Sequence, residues 1–166
     1  PDTVIVANAK AFAMLPQFVN TELPQEKRLV VAENDTLELG EHTVKFIMAP
    51  MVHWPEVMVE YELSEKILFS ADSFGTFGAV KDKLFASEFE NMPEAWSDEA
   101  RRYFINIVGK YGPSVQALLK KLSALEISKI APLHGAVLDG ELDFYIYKYM
   151  MWSSYQPEQE GVVIAY

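Results

Sequence analysis

Two histidines and one aspartate offer the clearest chemistry in this sequence. His53 follows the apolar run at residues 44–49, Asp72 follows the run at 67–69, and His134 follows the run at 127–131. If those runs are strands, all three side chains sit on loops at strand carboxyl ends. In an α/β sheet such loops gather at one edge, where ligands bind. Two imidazoles and a carboxylate at one edge suit a transition metal such as iron or zinc. Singly, each has a plainer reading. His53 beside Trp54 reads as a packed loop residue, Asp72 before Ser73 as a cap or turn residue, and His134 before Gly135 as a turn residue. Together, His53, Asp72 and His134 form the candidate catalytic and metal-ligating set. The remaining histidine, His42, lies beside Glu41 on a strand, polar by alternation, and reads as solvent-facing. Asp82 and Lys83 sit in a charged loop and need no special role. Tyr103 and Phe104 read as helix core and not as substrate contacts.

The elements that must position these residues follow from periodicity. Val4, Ile5 and Val6 read as a buried strand, and residues 8–19 carry a helical rhythm broken at Pro16. Residues 29–32 form a short strand. Residues 35–49 read as a hairpin, in which Leu37 and Leu39 alternate on the way out and Val44, Phe46 and Met48 on the way back around Gly40-Glu41. Residues 57–61 and 67–69 form a second hairpin. Helices are expected at 98–108, capped by Ser97-Asp98-Glu99, at 113–125, opening on Pro113, and at 143–152. Residues 127–131 form a strand, 153–160 a polar linker, and 161–166 another buried strand. The expected class is mixed α/β (α+β), with hairpins early and strand–helix alternation later.

Composition narrows the function. Fourteen Lys and Arg against 24 Asp and Glu give a net charge of −10, which disfavours a nucleic-acid surface. With no cysteine, the sequence has no disulfides, thiolate metal sites or cysteine nucleophile. No apolar run reaches the ~20 residues of a membrane helix, no signal-peptide pattern opens the chain, and a cytoplasmic protein fits best. Neither a Gly-rich phosphate loop nor a Gly-x-Ser-x-Gly elbow is present. Both ends run straight into apolar strands and read as internal points of a longer protein, because a buried strand needs neighbours for its backbone groups.

Three segments carry a family resemblance. Ala49-Pro50-Met51-Val52-His53-Trp54-Pro55-Glu56, Leu68-Phe69-Ser70-Ala71-Asp72-Ser73-Phe74-Gly75 and Ala131-Pro132-Leu133-His134-Gly135 resemble the diiron motif of flavodiiron proteins, in residue type and in spacing. The likeness extends over essentially the whole chain. It implies the C-terminal portion of a metallo-β-lactamase-like αββα sandwich over residues 1–152. Residues 153–166 would be a linker and the first strand of a flavodoxin-like domain that binds FMN. By that resemblance His53 binds one iron, Asp72 bridges both and His134 binds the other. Four further ligands, in a His-x-Glu-x-Asp-His segment, would lie upstream of Pro1.

The family chemistry implied is reduction of dioxygen to water, of nitric oxide to nitrous oxide, or of both. Electrons pass from a rubredoxin-type donor through FMN, and a head-to-tail homodimer brings flavin and irons together. One departure stands out: where the family commonly has Pro then Val-Trp-Arg after His134-Gly135, this chain has Ala136-Val137-Leu138-Asp139. The chain alone is expected to be inactive, to hold metal poorly unless an upstream segment complements it, and to expose an apolar sheet face. Two other readings remain open: a zinc-dependent hydrolase of the metallo-β-lactamase superfamily, and a degenerate non-catalytic fragment.

Overall fold

A computed structural model describes residues 3–19, 23–162 and 164. Its centre is a five-stranded sheet in the order β3-β4-β5-β6-β7, comprising Thr36–Leu39, His42–Met48, Met58–Glu62, Ile67–Phe69 and Lys129–Ala131. The first four strands pair antiparallel as two consecutive hairpins, and β7 joins β6 in parallel. Gly40 turns the first hairpin at φ +72°, a conformation glycine adopts without a Cβ penalty. At the second turn Glu62 accepts backbone N–H bonds from Glu65 (2.5 Å) and Ser64 (3.1 Å), and these hold its carboxyl down at about 2. His42, half-exposed as expected, lies 3.3 Å from the same carboxylate.

Alternation along the strands gives the sheet two different faces. Ile47, Val59, Tyr61, Leu68 and Ile130 point to the face covered by three helices: α2 (Glu94–Tyr103), α3 (Gly112–Leu122) and α4 (Leu142–Ser153). Val59, Leu68 and Ile130 are fully buried there, each worth about 1.5–3 kcal/mol by transfer from water. The helices meet them with aromatic rings. Trp96 and Trp152 stack at 5.8 Å, Phe74 and Tyr149 stack at 4.2 Å, and Phe104 meets Tyr149 edge-on. At the end of α3, Lys121 Nζ donates to the Met48 carbonyl (2.7 Å) and to Glu33 (2.8 Å), fixing the point where β4 ends.

The opposite face is only partly covered. Strand β1 (Ile5–Asn8) pairs in parallel with β2 (Arg28–Val31), and Asn8 ties it to the main sheet by donating to the Glu56 carbonyl at 2.7 Å. Asn8 also caps α1 (Ala9–Met14), which gives way to a 3-10 turn holding Pro16. Contrary to expectation, the start of the chain is not a buried strand: Val4 and Ile5 are exposed, as are Leu29 and Val30 on its partner. Among the described residues nothing packs closely over Ile5, Leu29 and Val30, so these side chains stay largely in water. On the face of the main sheet away from the helices, Glu60 lies across the ladder from Phe46 and Phe69. Burial beside those rings raises the Glu60 carboxyl to about 7.

Three further expectations needed correction. Helix α2 begins at Glu94, not Asp98, because Trp96 and Ala100 must both face the core. Ser97 is a buried interior residue whose hydroxyl lies 3.4 Å from the Pro93 carbonyl. Past Tyr103 the chain widens into a π turn, Phe104–Val108, which ends at Gly109. The polar stretch after α4 is anchored, not free. Glu158 is held by Arg101 and by Lys148 (2.6 Å), and Tyr155 Oη accepts from Gly112 N (3.1 Å) and donates to Gly109 O (3.1 Å). A side chain on Gly112 would strike the Tyr155 ring. Gly161, Val162 and Ile164 form no strand, and Val162 and Ile164 are exposed without a ladder partner; Val163, Ala165 and Tyr166 lie outside the described residues.

These carboxyls make stability depend on pH in opposite senses. Burial alone would raise Glu158, but the hydrogen bonds from Arg101 and Lys148 outweigh it and lower the carboxyl to about 2. Its contribution is present above the unfolded value of about 4.3 and is lost as pH falls towards 2. E158Q should lower Tm at pH 7 by a few degrees, with the gap closing by pH 2–3 and the tail cut faster by protease. Glu60 has the opposite sign: its folded value is raised, so ionisation costs stability as pH climbs through about 7. E60Q should match the parent near pH 4 and melt higher than it at pH 8. Parallel melting curves at both pH values would contradict this.

Candidate metal centre

Strands β4, β6 and β7 run in the same direction, since β5 is antiparallel to both β4 and β6 and β7 is parallel to β6. Their carboxyl ends therefore share one edge of the sheet, and the three loops that leave them carry His53, Asp72 and His134. Each loop is fixed by its own backbone and by one buried anchor.

The His53 loop turns tightly after β4. Met51 N–H donates to the Trp54 carbonyl (2.8 Å), and Val52 N–H to that of Ala49 (3.1 Å). Val52 is fully buried, which leaves the next side chain, His53, facing outward across a cis Val52–His53 peptide. Trp54 is half-exposed beside it, edge-on to the imidazole at 6.1 Å and to Phe18 at 6.3 Å.

The Asp72 loop is pinned by the buried Ser70. Its hydroxyl donates to the Ser73 carbonyl at 2.7 Å, and its N–H reaches across to Ala131 in β7 at 3.1 Å. Phe74 anchors the far side in the aromatic core, at φ +65°. Asp72 is left with its carboxylate facing the edge.

The His134 loop is laced to the Asp72 loop. Leu133 N–H donates to Ala71 O (2.8 Å), and Thr76 N–H donates to His134 O (3.2 Å). Behind the tip, Ile130 and Leu138 exchange two backbone hydrogen bonds and close the turn. Gly135 sits at φ +92°, and a Cβ there would run into Thr76 Oγ1, so both conformation and space require glycine.

The result is one carboxylate between two imidazoles. His53 Nε2 lies 3.5 Å from Asp72 Oδ2, and His134 Nε2 lies 3.4 Å from Asp72 Oδ1. These distances are longer than the ~2.7–2.9 Å of a charge-assisted hydrogen bond. They suit donors that share an ion: two ligands each ~2.1 Å from one metal, at angles near 90–110°, lie about 3.0–3.4 Å apart. Each oxygen faces a different imidazole, so the pairs describe two positions and not one. Among the described residues, no group of three or more histidine and acidic side chains is placed so as to hold a metal ion.

Tyr103 adds a partner that periodicity did not reveal. The core reading is right for its ring, which is buried, but its hydroxyl lies 3.4 Å from Asp72 Oδ1 and its ring 5.6 Å from that of His134. Burial, reinforced by the nearby Asp72 charge, raises the phenol so that it stays protonated and able to donate. Nothing in a single sequence marks which buried tyrosine turns its hydroxyl to a site. Phe104 is core, as expected. His42 lies on β4, paired with Glu62 and apart from this cluster. The described residues include no helix long and apolar enough to cross a membrane.

Comparison with known proteins matches this geometry to a family. The family described as ODP family beta lactamase matches residues 2–135. The rubredoxin-oxygen oxidoreductase of Megalodesulfovibrio gigas is 30% identical over 168 residues, covering 98% of this chain and 40% of that protein. The anaerobic nitric oxide reductase flavorubredoxin of Aeromonas salmonicida is 31% identical over 131 residues, covering 77% of this chain and 25% of that protein. The crystal structure of the flavodiiron protein from Giardia intestinalis superposes with a TM-score of 0.83 at 30% identity, over 91% of this chain and 36% of that one. The chain thus spans between 25% and 40% of the length of such relatives. The expected fold class holds: this is a mixed α/β chain forming part of the β-lactamase-like domain. It belongs to the ODP family of β-lactamase-like domains, the metallo-β-lactamase-like part of flavodiiron proteins.

Proposed function

We propose that this chain supplies one side of a non-haem diiron centre in a cytoplasmic oxidoreductase that reduces dioxygen to water, nitric oxide to nitrous oxide, or both. The observation that carries the reading is the Asp72 carboxylate with one imidazole at each oxygen. His53 and Asp72 Oδ2 would hold one iron, and His134 and Asp72 Oδ1 the other. Imidazole and carboxylate donors suit iron and leave coordination positions open. Bound there, two iron ions would supply the redox chemistry that a diatomic substrate requires.

The residues of this chain do the positioning. Ser70 and the loop-to-loop hydrogen bonds hold Asp72 and His134 in register, and Tyr103 donates towards the shared carboxylate. A single carboxylate balances only a small part of the charge of two divalent ions, so three donors alone bind weakly. The remaining ligands belong, on this reading, to a His-x-Glu-x-Asp-His segment of the intact protein, packed on apolar residues left exposed in the two sheets, Ile5 and Val30 in one and Phe69 in the other. Residues 153–166 would lead into a flavodoxin-like domain carrying FMN, fed by a rubredoxin-type donor, within a head-to-tail homodimer.

Metal content tests the assignment. The chain alone should retain little iron. Joined to the upstream segment it should hold two irons, with H53A and H134A each falling towards one and D72A towards none. Zinc bound in place of iron, with no flavin in the intact protein, would instead favour a hydrolase of the same superfamily. Equal iron content in all three variants would overturn the ligand assignment.

A further inference from the structure

A cavity of about 160 Å³ opens directly behind the His134 loop. Phe77, Val80, Phe89, Met92, Trp96 and Ala136 line it, and its walls are predominantly apolar. Trp96 and Ala136 are buried at its floor, while Ala95 and Glu90 stand exposed at its mouth. It lies one residue layer from the candidate metal centre. Ala136 is two residues past His134, Thr76 donates its N–H to the His134 carbonyl, and the Phe77 ring meets Tyr103 edge-on at 5.2 Å.

Size and chemistry select the occupant. The volume falls well below the ~300–1,000 Å³ of sites for drug-sized ligands. It is close in size to an enclosed apolar cavity of about 150 Å³ that takes benzene or xenon, but here the mouth is open to solvent. An ordered water needs two to four polar partners. Of the polar groups here, Thr76 N–H is engaged with His134, Glu90 stands at the mouth, and Glu99 Oε2, 2.9 Å from Arg102, and Trp96 Nε1 are both buried without a hydrogen-bond partner. The polar groups are the minor part of the lining, so an uncharged diatomic molecule gains contact with Phe77, Val80, Phe89 and Met92 while giving up little polar solvation.

We propose that this cavity is a holding site for an apolar diatomic molecule, dioxygen or nitric oxide, which passes the Thr76–Phe77 wall to reach Asp72. The inference rests on the diiron reading for its purpose, but the cavity is testable without metal or turnover. Crystals of the chain under xenon pressure should show xenon between Phe77 and Trp96, and both A95F, which narrows the mouth, and V80W, which fills the wall, should remove it. Neither residue touches the metal-binding cluster, and circular dichroism checks that each variant folds. In the intact iron-loaded protein the same substitutions should raise KM for the gas several-fold and leave kcat unchanged. Xenon absent from the cavity, or xenon lost with KM unmoved, would overturn the proposal while leaving the diiron assignment standing. Failure of the iron titration would remove the diiron assignment without affecting xenon binding.

Discussion

The parallel pairing of β6 with β7 is the constraint from which the site follows. It places the ends of two strands that lie far apart in sequence side by side, at Phe69 and Ala131. From there each loop has only a few residues in which to present a side chain. The backbone bonds Ser70–Ala131, Leu133–Ala71 and Thr76–His134 continue the ladder beyond the strands themselves. Asp72 and His134 are therefore held almost as rigidly as sheet residues, although both sit on loops. Antiparallel β5 then returns the chain so that β4 points the same way and delivers His53 to the opposite oxygen of the same carboxylate.

This arrangement concentrates unsatisfied demand at one edge and on one face. At the edge, two imidazoles face one carboxylate at distances too long for strong hydrogen bonds. On the face away from the helices, Glu60 is pressed between Phe46 and Phe69 with its carboxyl raised to about 7. The face towards the helices shows no such tension: Val59, Leu68 and Ile130 meet a continuous layer of aromatic rings. The well-packed half of the molecule supports, and the under-packed half is where a partner segment and metal would add most stability.

Much of this was legible because it is local. Alternation at Leu37 and Leu39 and at Val44, Phe46 and Met48 specifies a hairpin, and Gly40 specifies its turn. The apolar runs before His53, Asp72 and His134 place those residues at strand ends without any knowledge of the sheet order. What escaped depends on partners far along the chain. Ser97-Asp98-Glu99 has the composition of a helix cap, yet the burial of Trp96 against Tyr145 and Trp152 draws the helix back to Glu94. Glu158 sits in a stretch that reads as a linker, and only the fold brings Arg101, 57 residues away, to its carboxylate. Tyr103 belongs to a helical apolar pattern and shares it with residues that never approach the site. The strand at Ile5 has the composition of a core strand, but Ile5 itself and the residue before it, Val4, are exposed.

Iron-edge anomalous diffraction on crystals of the intact, iron-loaded protein would test the central claim most directly. The account predicts two iron peaks flanking the Asp72 carboxylate, one about 2.1 Å from His53 Nε2 and the other equally close to His134 Nε2. A single peak, or two peaks with either imidazole turned away, would contradict it.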